Sequence, residues 1–344
     1  MKTQLLPASA PDTAAIAAKL LRDGELVALP TETVYGLGAN ALDAHAVKKI
    51  FEVKGRPADN PLIIHVLGPA DLDRWCQEIP ASARLLAARF WPGPVTMILK
   101  KSPAIPAQTS AGLDTIAVRC PQTPLTRMLL AAVDFPIAAP SANLSGRPST
   151  TTLRHVLDDL SGKIPAVLDG GDCSVGLEST IIDLTVQPPM LLRPGGITLE
   201  QLRSVLGAVT VDPTVLHPPT SSQAPKAPGM KYRHYAPHAP LTLVKGAPSA
   251  SAAYISAHCR PDCGVLCFEE YLSCFPSAQT ICMGSMQDET AQAHLLFDAL
   301  RQFDETDVQQ IFAQCPAEQG LGLALVNRLN KAAGFHIVNL EVKP

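Results

Sequence analysis

The stretch LPTETVYGLGANALDAHAVKKIFEVKGRPADNPLIIH, residues 29–65, decides the fold of the first part of the chain. It begins where an apolar run ends, passes through a glycine-bracketed loop with Thr31, Thr33 and Tyr35, and then has the periodicity of a helix. A second loop, Lys54-Gly55-Arg56-Pro57, leads into another apolar run that is typical of a strand. Strands separated by helices predict an α/β layer fold.

The second of these loops carries two cations next to a flexible glycine and a rigid proline. An arginine can bind two phosphate oxygens at once, and a lysine adds a mobile point charge, so Lys54 and Arg56 suit a polyanion. Cations at the end of a helix also occur on ordinary protein surfaces, where they complement the helix dipole. Taken alone, the loop leaves both interpretations open.

Polar residues border four later apolar runs. Arg119 follows the run 116–118, Ser141 follows 137–140, the segment 176–180 precedes 181–184, and Arg193 follows 190–192. Open α/β sheets form ligand sites at the ends of their strands. We therefore expect these residues to meet in a pocket for an anion. Consecutive strands without helices near 95–118 and 166–192 predict a mixed sheet.

In their order and spacing, several segments resemble the YrdC-like threonylcarbamoyl-adenylate synthases. These segments are PTETVYGLG, KGRPADNPL, PSANLSGRPS, GLESTIIDL and LLRPGG. The segment APGMKYRHYAP, residues 227–237, resembles the linker of the long two-domain form, and the likeness returns at GLGLALVNRLNKA, residues 320–332. The resemblance implies a YrdC-like mixed twisted sheet with helices, followed by a smaller, Rossmann-like α/β domain.

A chain of 344 residues is long enough for two domains. We expect a catalytic domain at 9–208, a linker at 209–240 and a C-terminal α/β domain at 241–344, with residues 1–8 as a loose end. The linker range contains seven prolines together with aromatic and basic residues, so it is also the expected lid. No internal repeat is visible.

Composition limits the classes of function. A net charge of −3 argues against strong direct binding to nucleic acid. The apolar runs are shorter than the ~20 residues of a membrane span, and no secretory signal is visible. The nine cysteines, an odd count in a long chain, favour a reducing, cytoplasmic location. The cysteines at 259–282 lack zinc-knuckle spacing, and Gly264–Phe268 is typical of a buried strand, so we predict no metal site there.

The resemblance implies an activity. A nucleotidyltransferase of this family joins L-threonine, bicarbonate or CO2, and ATP, assisted by Mg²⁺, into L-threonylcarbamoyl-AMP and releases pyrophosphate. The product then serves t6A37 modification of ANN-decoding tRNAs through a separate tRNA threonylcarbamoyl transferase. Two alternatives stay open: an RNA-binding or ribosome-maturation module, and a carbamoyl-transfer domain of hydrogenase maturation on the same core fold.

The resemblance also implies residue roles. It assigns Lys54 and Arg56 to the triphosphate as catalytic residues. The further nucleotide contacts that it implies are Asn60, Thr115, Ala139, Ser141, Asn143, Ser149, Arg193, Tyr232 and Tyr235. The threonine contacts that it implies are Thr33, His65, Arg119 and Ser179. The residues alone also allow plainer roles: Ser141 and Asn143 as turn caps, Arg119 as a sheet-edge arginine, and His65 as a core histidine.

Overall fold

The computed structural model describes residues 1–218, 227 and 234–341 of the chain. Two β-sheets organise these residues. The strands of the first sheet are β1 Gln4–Pro7, β2 Val27–Leu29, β3 Gly36–Asn40, β4 Ile63–His65, β5 Cys76–Gln77, β6 Val95–Lys101, β7 Thr115–Arg119, β8 Ile137–Ala138, β9 Ala166–Asp169, β10 Thr180–Asp183, β11 Met190–Arg193 and β12 Thr210–Val211. Its helices are α1 Thr13–Arg22, α2 Ala44–Lys54, α3 Leu72–Trp75, α4 Ala81–Phe90, α5 Ala107–Ser110, α6 Pro124–Ala131, α7 Leu153–Leu160 and α8 Leu199–Leu206.

The first sheet has the order β1-β9-β2-β3-β8-β4-β7-β6-β10-β11-β12, and β5 pairs with β6. Parallel pairs such as β4 with β7 and β6 with β10 occur beside antiparallel pairs such as β3 with β8 and β6 with β7. The predicted mixed sheet is therefore confirmed. The register places Arg119 opposite both His65 and Thr96, and Arg193 opposite Ile181, so the polar residues at these strand ends are neighbours.

Local signals in the sequence explain how α2 positions the cationic loop. The Asp43 side chain accepts hydrogen bonds from the backbone N–H groups of His45 and Ala46, which starts the helix. Gly55 has a φ of 62°, in the left-handed region that glycine adopts without strain, and it ends the helix. Arg56 follows directly, and its guanidinium donates to the Pro61 carbonyl at 3.2 Å, two residues before β4.

The second sheet belongs to a smaller α/β domain. Its strands are β13 Leu241–Lys245, β14 Cys263–Cys267, β15 Gln279–Cys282, β16 Gln310–Gln314 and β17 Ile337–Asn339, and its helices are α9 Pro248–His258, α10 Glu289–Gln302 and α11 Gly322–Ala332. The order is β15-β14-β16-β13-β17, and every pair is parallel. This arrangement confirms the predicted Rossmann-like domain, and β14 is buried along its whole length, as the sequence predicted.

Three segments differ from the sequence-based expectations. Residues 1–8 are not a loose end, because β1 pairs in parallel with β9 at the edge of the first sheet. The range expected as linker begins with β12, which pairs with β11. The glycine-rich segment after Tyr35 forms β3, where a side chain at Gly38 would come within 2.8 Å of Leu29. Glycine permits this close approach but removes the alternating side chains that reveal a strand.

The C-terminal domain is packed against the rest of the chain through α10 and α11. Arg301 of α10 lies 2.9 Å from the Asp159 carboxylate of α7, and Asn327 of α11 donates to the Val215 carbonyl at 2.7 Å. Gly176 lies so close to α10 that a side chain there would come within 2.5 Å of the His294 backbone. The C-terminal domain is therefore held close to the polar strand ends. Across the described residues, no helix combines the length and the hydropathy that crossing a membrane requires.

Candidate active site

A narrow cleft lies where β4, β7 and β11 end and β10 begins. Ten of the residues proposed from the sequence line it: Thr33, Arg56, His65, Arg119, Ala139, Ser141, Asn143, Ser179, Arg193 and Tyr235. The free volume of the cleft is about 60 Å³, which is room for only a few water molecules. Small-molecule sites usually offer about 300–1,000 Å³, so this conformation of the cleft is nearly closed.

Arg119, at the end of β7, is buried with only 4% of its surface exposed. Its Nη1 donates to the Thr33 hydroxyl at 2.7 Å, and its Nη2 lies 2.7 Å from Glu32 Oε1 without the alignment of a hydrogen bond. In the part of the chain that the structure describes, neither Nε nor Nη2 has an aligned acceptor. One side of the guanidinium therefore presents Nε and Nη2 in the geometry that suits a carboxylate, with Glu32 as the ion-pair partner of Nη2.

His65 lies beside Arg119 at the end of β4. Burial, and then the positive charge of Arg119, lowers the pKa of His65 to about 3, so the imidazole is neutral at physiological pH. Its Nδ1 is buried and has no hydrogen-bond partner among the described residues. A neutral imidazole has one donor and one acceptor nitrogen, which suits contact with a hydroxyl or an amine.

Ser179 is held in position from two sides. Its hydroxyl lies 2.7 Å from the Thr96 hydroxyl of β6, and Arg193 donates from Nη2 to the same hydroxyl at 3.2 Å. The Nε of Arg193 also donates to the Ser179 carbonyl at 3.0 Å. Burial lowers the pKa of Arg193 to about 10, so its guanidinium stays positively charged at neutral pH.

Lys54 supports the loop that begins at Ser141 and does not line the cleft. Its Nζ donates to the Ser141 carbonyl at 2.5 Å and also to the Asn143 carbonyl. The Ser141 hydroxyl donates to the Asn143 side chain, whose Nδ2 donates in turn to Leu144 and Arg147 carbonyls. Burial, and then Arg56, holds the pKa of Lys54 well below its usual range. Ser141 and Asn143 thus shape the turn and line the cleft at the same time.

Three of the remaining proposed residues, Asn60, Thr115 and Ser149, are described and do not line the cleft. Asn60 is buried next to Arg56, which donates to its carbonyl at 3.4 Å. The Ser149 hydroxyl donates to Glu178. Thr115 is on the same face of β7 as Arg119 but about 13 Å along the strand. Tyr232 lies outside the described residues.

Glu178 lines the cleft and was given no role from the sequence. Its Oε2 accepts from Arg328 Nε of α11 at 2.8 Å, and its Oε1 accepts from Ser149. Burial opposes ionisation of Glu178, but the charges of Arg328 and Arg193 outweigh it and hold its pKa below the usual value. An acidic residue next to an apolar strand indicates a buried carboxylate, and a buried charge needs a partner. No local pattern identifies a partner that lies 150 residues away.

Beyond β12, described residues of the predicted linker also contact the cleft and the sheet beside it. His234 and Tyr235 line the cleft, and the Tyr235 ring lies 5.2 Å from the Phe297 ring of α10. Burial, and then Glu178, raises the pKa of Tyr235 to about 12. Ala227 is fully buried in an apolar cluster on the sheet that includes Ile63 of β4. The C-terminal domain thus holds Tyr235 against the cleft.

Comparison with known proteins gives matches along most of the chain. The Sua5_yciO_yrdC family model, described as "Telomere recombination", matches residues 19–195. The Sua5_C model, described as "Threonylcarbamoyl-AMP synthase, C-terminal domain", matches residues 197–334. These matches cover most strands of both sheets, and they favour the synthase over the RNA-binding and carbamoyl-transfer alternatives.

Two curated relatives are both named threonylcarbamoyl-AMP synthase. The protein from Pyrococcus abyssi is 48% identical over 94% of this chain and 95% of its own length. The protein from Bacillus subtilis is 45% identical over 94% of this chain and 93% of its own. A crystal structure of P. abyssi Sua5 complexed with L-threonine superposes with a TM-score of 0.90 at 44% identity, covering 99% of this chain and 100% of that one.

Proposed function

This chain belongs to the Sua5/YrdC family of threonylcarbamoyl-AMP synthases, and we propose from this premise how its cleft makes L-threonylcarbamoyl-AMP. The substrates are L-threonine, bicarbonate and ATP, and pyrophosphate leaves, so the reaction is a nucleotidyl transfer. The product passes to a separate tRNA threonylcarbamoyl transferase for the t6A37 modification. The observation that carries the proposal is the pair of buried Arg119 donors without an aligned acceptor.

L-Threonine occupies the part of the cleft around Arg119. Its carboxylate accepts hydrogen bonds from Nε and Nη2, a bidentate arrangement that a guanidinium favours. The amine and hydroxyl of threonine then lie near Thr33, the neutral His65 and Ser179, which supply both donors and acceptors. Glu32, 2.7 Å from Arg119, keeps the guanidinium in place before the substrate arrives.

The phosphates of ATP occupy the part of the cleft around Arg56, Ser141, Asn143 and Arg193. Bicarbonate gives CO2 and hydroxide. The free amine of threonine attacks the CO2 carbon, and the proton that it loses combines with the hydroxide as water, which leaves a carbamate. A carbamate oxygen then attacks the α-phosphorus, and the bond from that phosphorus to pyrophosphate breaks. The carbamate and the triphosphate, both anions, have to approach each other for this step. The charges of Arg56 and Arg193 are already in position, so they reduce this repulsion without any rearrangement of the site.

Lys54 acts by holding the Ser141–Asn143 turn through two carbonyls, so that the turn presents its polar groups to the phosphates. Mg²⁺ is the expected companion of ATP, and the Ser141 hydroxyl oxygen, which keeps its lone pairs while it donates to Asn143, fits it. The carboxylate of Glu178 is engaged by Arg328 and Ser149. We therefore propose that the triphosphate itself and water supply most of the ligands of Mg²⁺. The bound ion would neutralise part of the negative charge of the phosphates.

The linker closes the cleft over the reactants. With His234 and Tyr235 in place, the free volume of about 60 Å³ is too small for ATP, so these residues move away when the nucleotide enters. Once they return, they exclude water from the cleft. Exclusion of water protects the carbamate, which decomposes readily in an aqueous environment.

The experiment that tests the function is an assay of pyrophosphate release from the full chain with L-threonine, ¹³C-bicarbonate and ATP. We expect release only when all three are present, and mass spectrometry should find one labelled carbon in the product. Chelation of Mg²⁺ should stop the reaction. Equal release without threonine, or a product without the label, would contradict the proposal.

A further inference from the structure

A second cleft lies in the C-terminal domain, at the carboxyl ends of β13, β14 and β16. Its free volume is about 320 Å³, roughly five times that of the catalytic cleft. Lys245 ends β13, Phe268 directly follows β14, and Cys315 directly follows β16, and all three line it. The connections that leave β13 and β16 run in opposite directions along the sheet. Parallel sheets bind ligands at such a point.

Two buried glutamines at this cleft differ in how completely their amides are bonded. Gln314 accepts from the Phe268 N–H at 3.0 Å and donates to the Pro248 carbonyl at 3.0 Å, so both ends of its amide are engaged. Gln292, 1% exposed, lines the cleft and donates from Nε2 to the Ser285 carbonyl at 2.6 Å. Its Oε1 is buried and has no donor among the described residues. A buried carbonyl oxygen of this kind calls for an N–H or O–H partner.

The charges around the cleft indicate the sign of that partner. The described lining contains three carboxylates, Glu289, Glu318 and Glu341, and one ammonium group, that of Lys245. Lys245 lies 2.7 Å from Glu318, so these two charges largely balance each other and the described lining keeps a net negative charge. Glu289 accepts the N–H groups of Leu321 and Gly322 at the start of α11, which offsets the positive end of that helix.

We propose that this cleft binds a small organic cation, in which an ammonium or guanidinium group is attached to a short apolar body. The cation donates toward Gln292 Oε1 and lies among the three carboxylates. The apolar body packs against Phe268 and Pro248, which form part of the wall. The site is separate from the catalytic cleft, and it gives the C-terminal domain a ligand-binding role of its own.

The test is calorimetric titration of the full chain with agmatine, which carries a guanidinium, an ammonium and a four-carbon body. Glu318→Gln, at a partly exposed position, should weaken agmatine binding about three-fold, and Lys245→Met should strengthen it about three-fold, because the two changes shift the local charge in opposite directions. Gln292→Met removes the carbonyl acceptor at similar volume and should weaken binding about ten-fold. Glu200→Gln, an exposed acid on α8, is the matched control and should change nothing.

Glutarate, a dianion of similar length, should not bind. The proposal is overturned if glutarate binds more tightly than agmatine, if agmatine does not bind, or if Glu318→Gln and Lys245→Met leave its affinity unchanged. Displacement of agmatine by L-threonine or ATP would also overturn it, because the probe would then occupy the catalytic cleft. Glu318 and Lys245 lie at the surface, so these two variants keep the test decisive even if Gln292→Met fails to fold.

Discussion

Replacement of Arg328 by Met should destabilise the chain strongly and reverse its response to acid. The Arg328 side chain is fully buried and donates to the Glu178 carboxylate at 2.8 Å and to the Pro194 carbonyl at 2.8 Å. Methionine fills most of the volume but leaves the buried carboxylate without its main partner. Breaking one side of a buried ion pair costs about 3–5 kcal/mol, a large part of a typical total stability.

The pH dependence follows from the sign of the pKa shift. In the wild type, the pKa of Glu178 is held below its unfolded value, so its contribution to stability is present at neutral pH and is lost as the pH falls through the folded pKa. Without Arg328, burial is opposed mainly by Arg193, and we expect the pKa of Glu178 to rise above its unfolded value. The variant should therefore lose stability as the pH rises from about 5 to about 8.

Urea denaturation at both pH values measures these free energies of unfolding. Adding Glu178→Gln to Arg328→Met removes the buried charge, so the double variant should recover stability at the higher pH and lose the variant's pH dependence. A cost below about 1 kcal/mol for Arg328→Met, or an equal cost at both pH values, would show that Arg328 does not hold the Glu178 carboxylate in its charged form.

Three further predictions concern the cleft and the sheet. Lys54→Met and Arg56→Met should each lower pyrophosphate release by about 100-fold or more. The control Lys48→Met, on the exposed face of α2, should have little effect. Near-normal release by both Lys54→Met and Arg56→Met would contradict the roles given to these cations. Pyrophosphate release should be far slower with L-valine than with L-threonine, because valine leaves polar groups around Thr33 and Ser179 unpaired. L-Serine should be the better-tolerated analogue. Equal rates with valine and threonine would contradict the placement of the threonine hydroxyl near these residues. Gly38→Ala should destabilise the chain by about 1–3 kcal/mol in urea denaturation, since the new methyl would lie 2.8 Å from Leu29. The control Gly68→Ala places its methyl in open space and should change the stability little.

Much of the fold could be predicted from the sequence, because periodic apolar runs and capping residues act locally. The run that became β7 ends at Arg119, and the run that became β4 ends at His65, so both strands and their terminal polar residues were found. The segment that became β3 was missed because Gly36 and Gly38 carry no side chains to alternate between the two faces. β1 was missed because a short terminal strand depends on its partner β9, far along the chain.

The site was predicted as a set of residues, but the direction of each side chain was not. Lys54 was expected at the triphosphate, and in the structure its ammonium points to two carbonyls of the neighbouring turn. This orientation depends on how α2 packs against that turn, which no spacing rule encodes. The contact between Glu178 and Arg328 depends on the docking of two domains, so only the buried acid could be suspected from the sequence.

A pair of calorimetric titrations tests whether the Nε and Nη2 side of Arg119 binds the carboxylate of threonine. L-Threonine is compared with L-threoninamide, which keeps the amine and the hydroxyl but lacks the negative charge. We expect the amide to bind the wild type at least about ten-fold more weakly than threonine does. Arg119→Met should remove this difference, because it should weaken the binding of threonine and leave the binding of the amide unchanged. Equal affinity of the two ligands for the wild type, or an undiminished preference for threonine in the variant, would contradict this expectation.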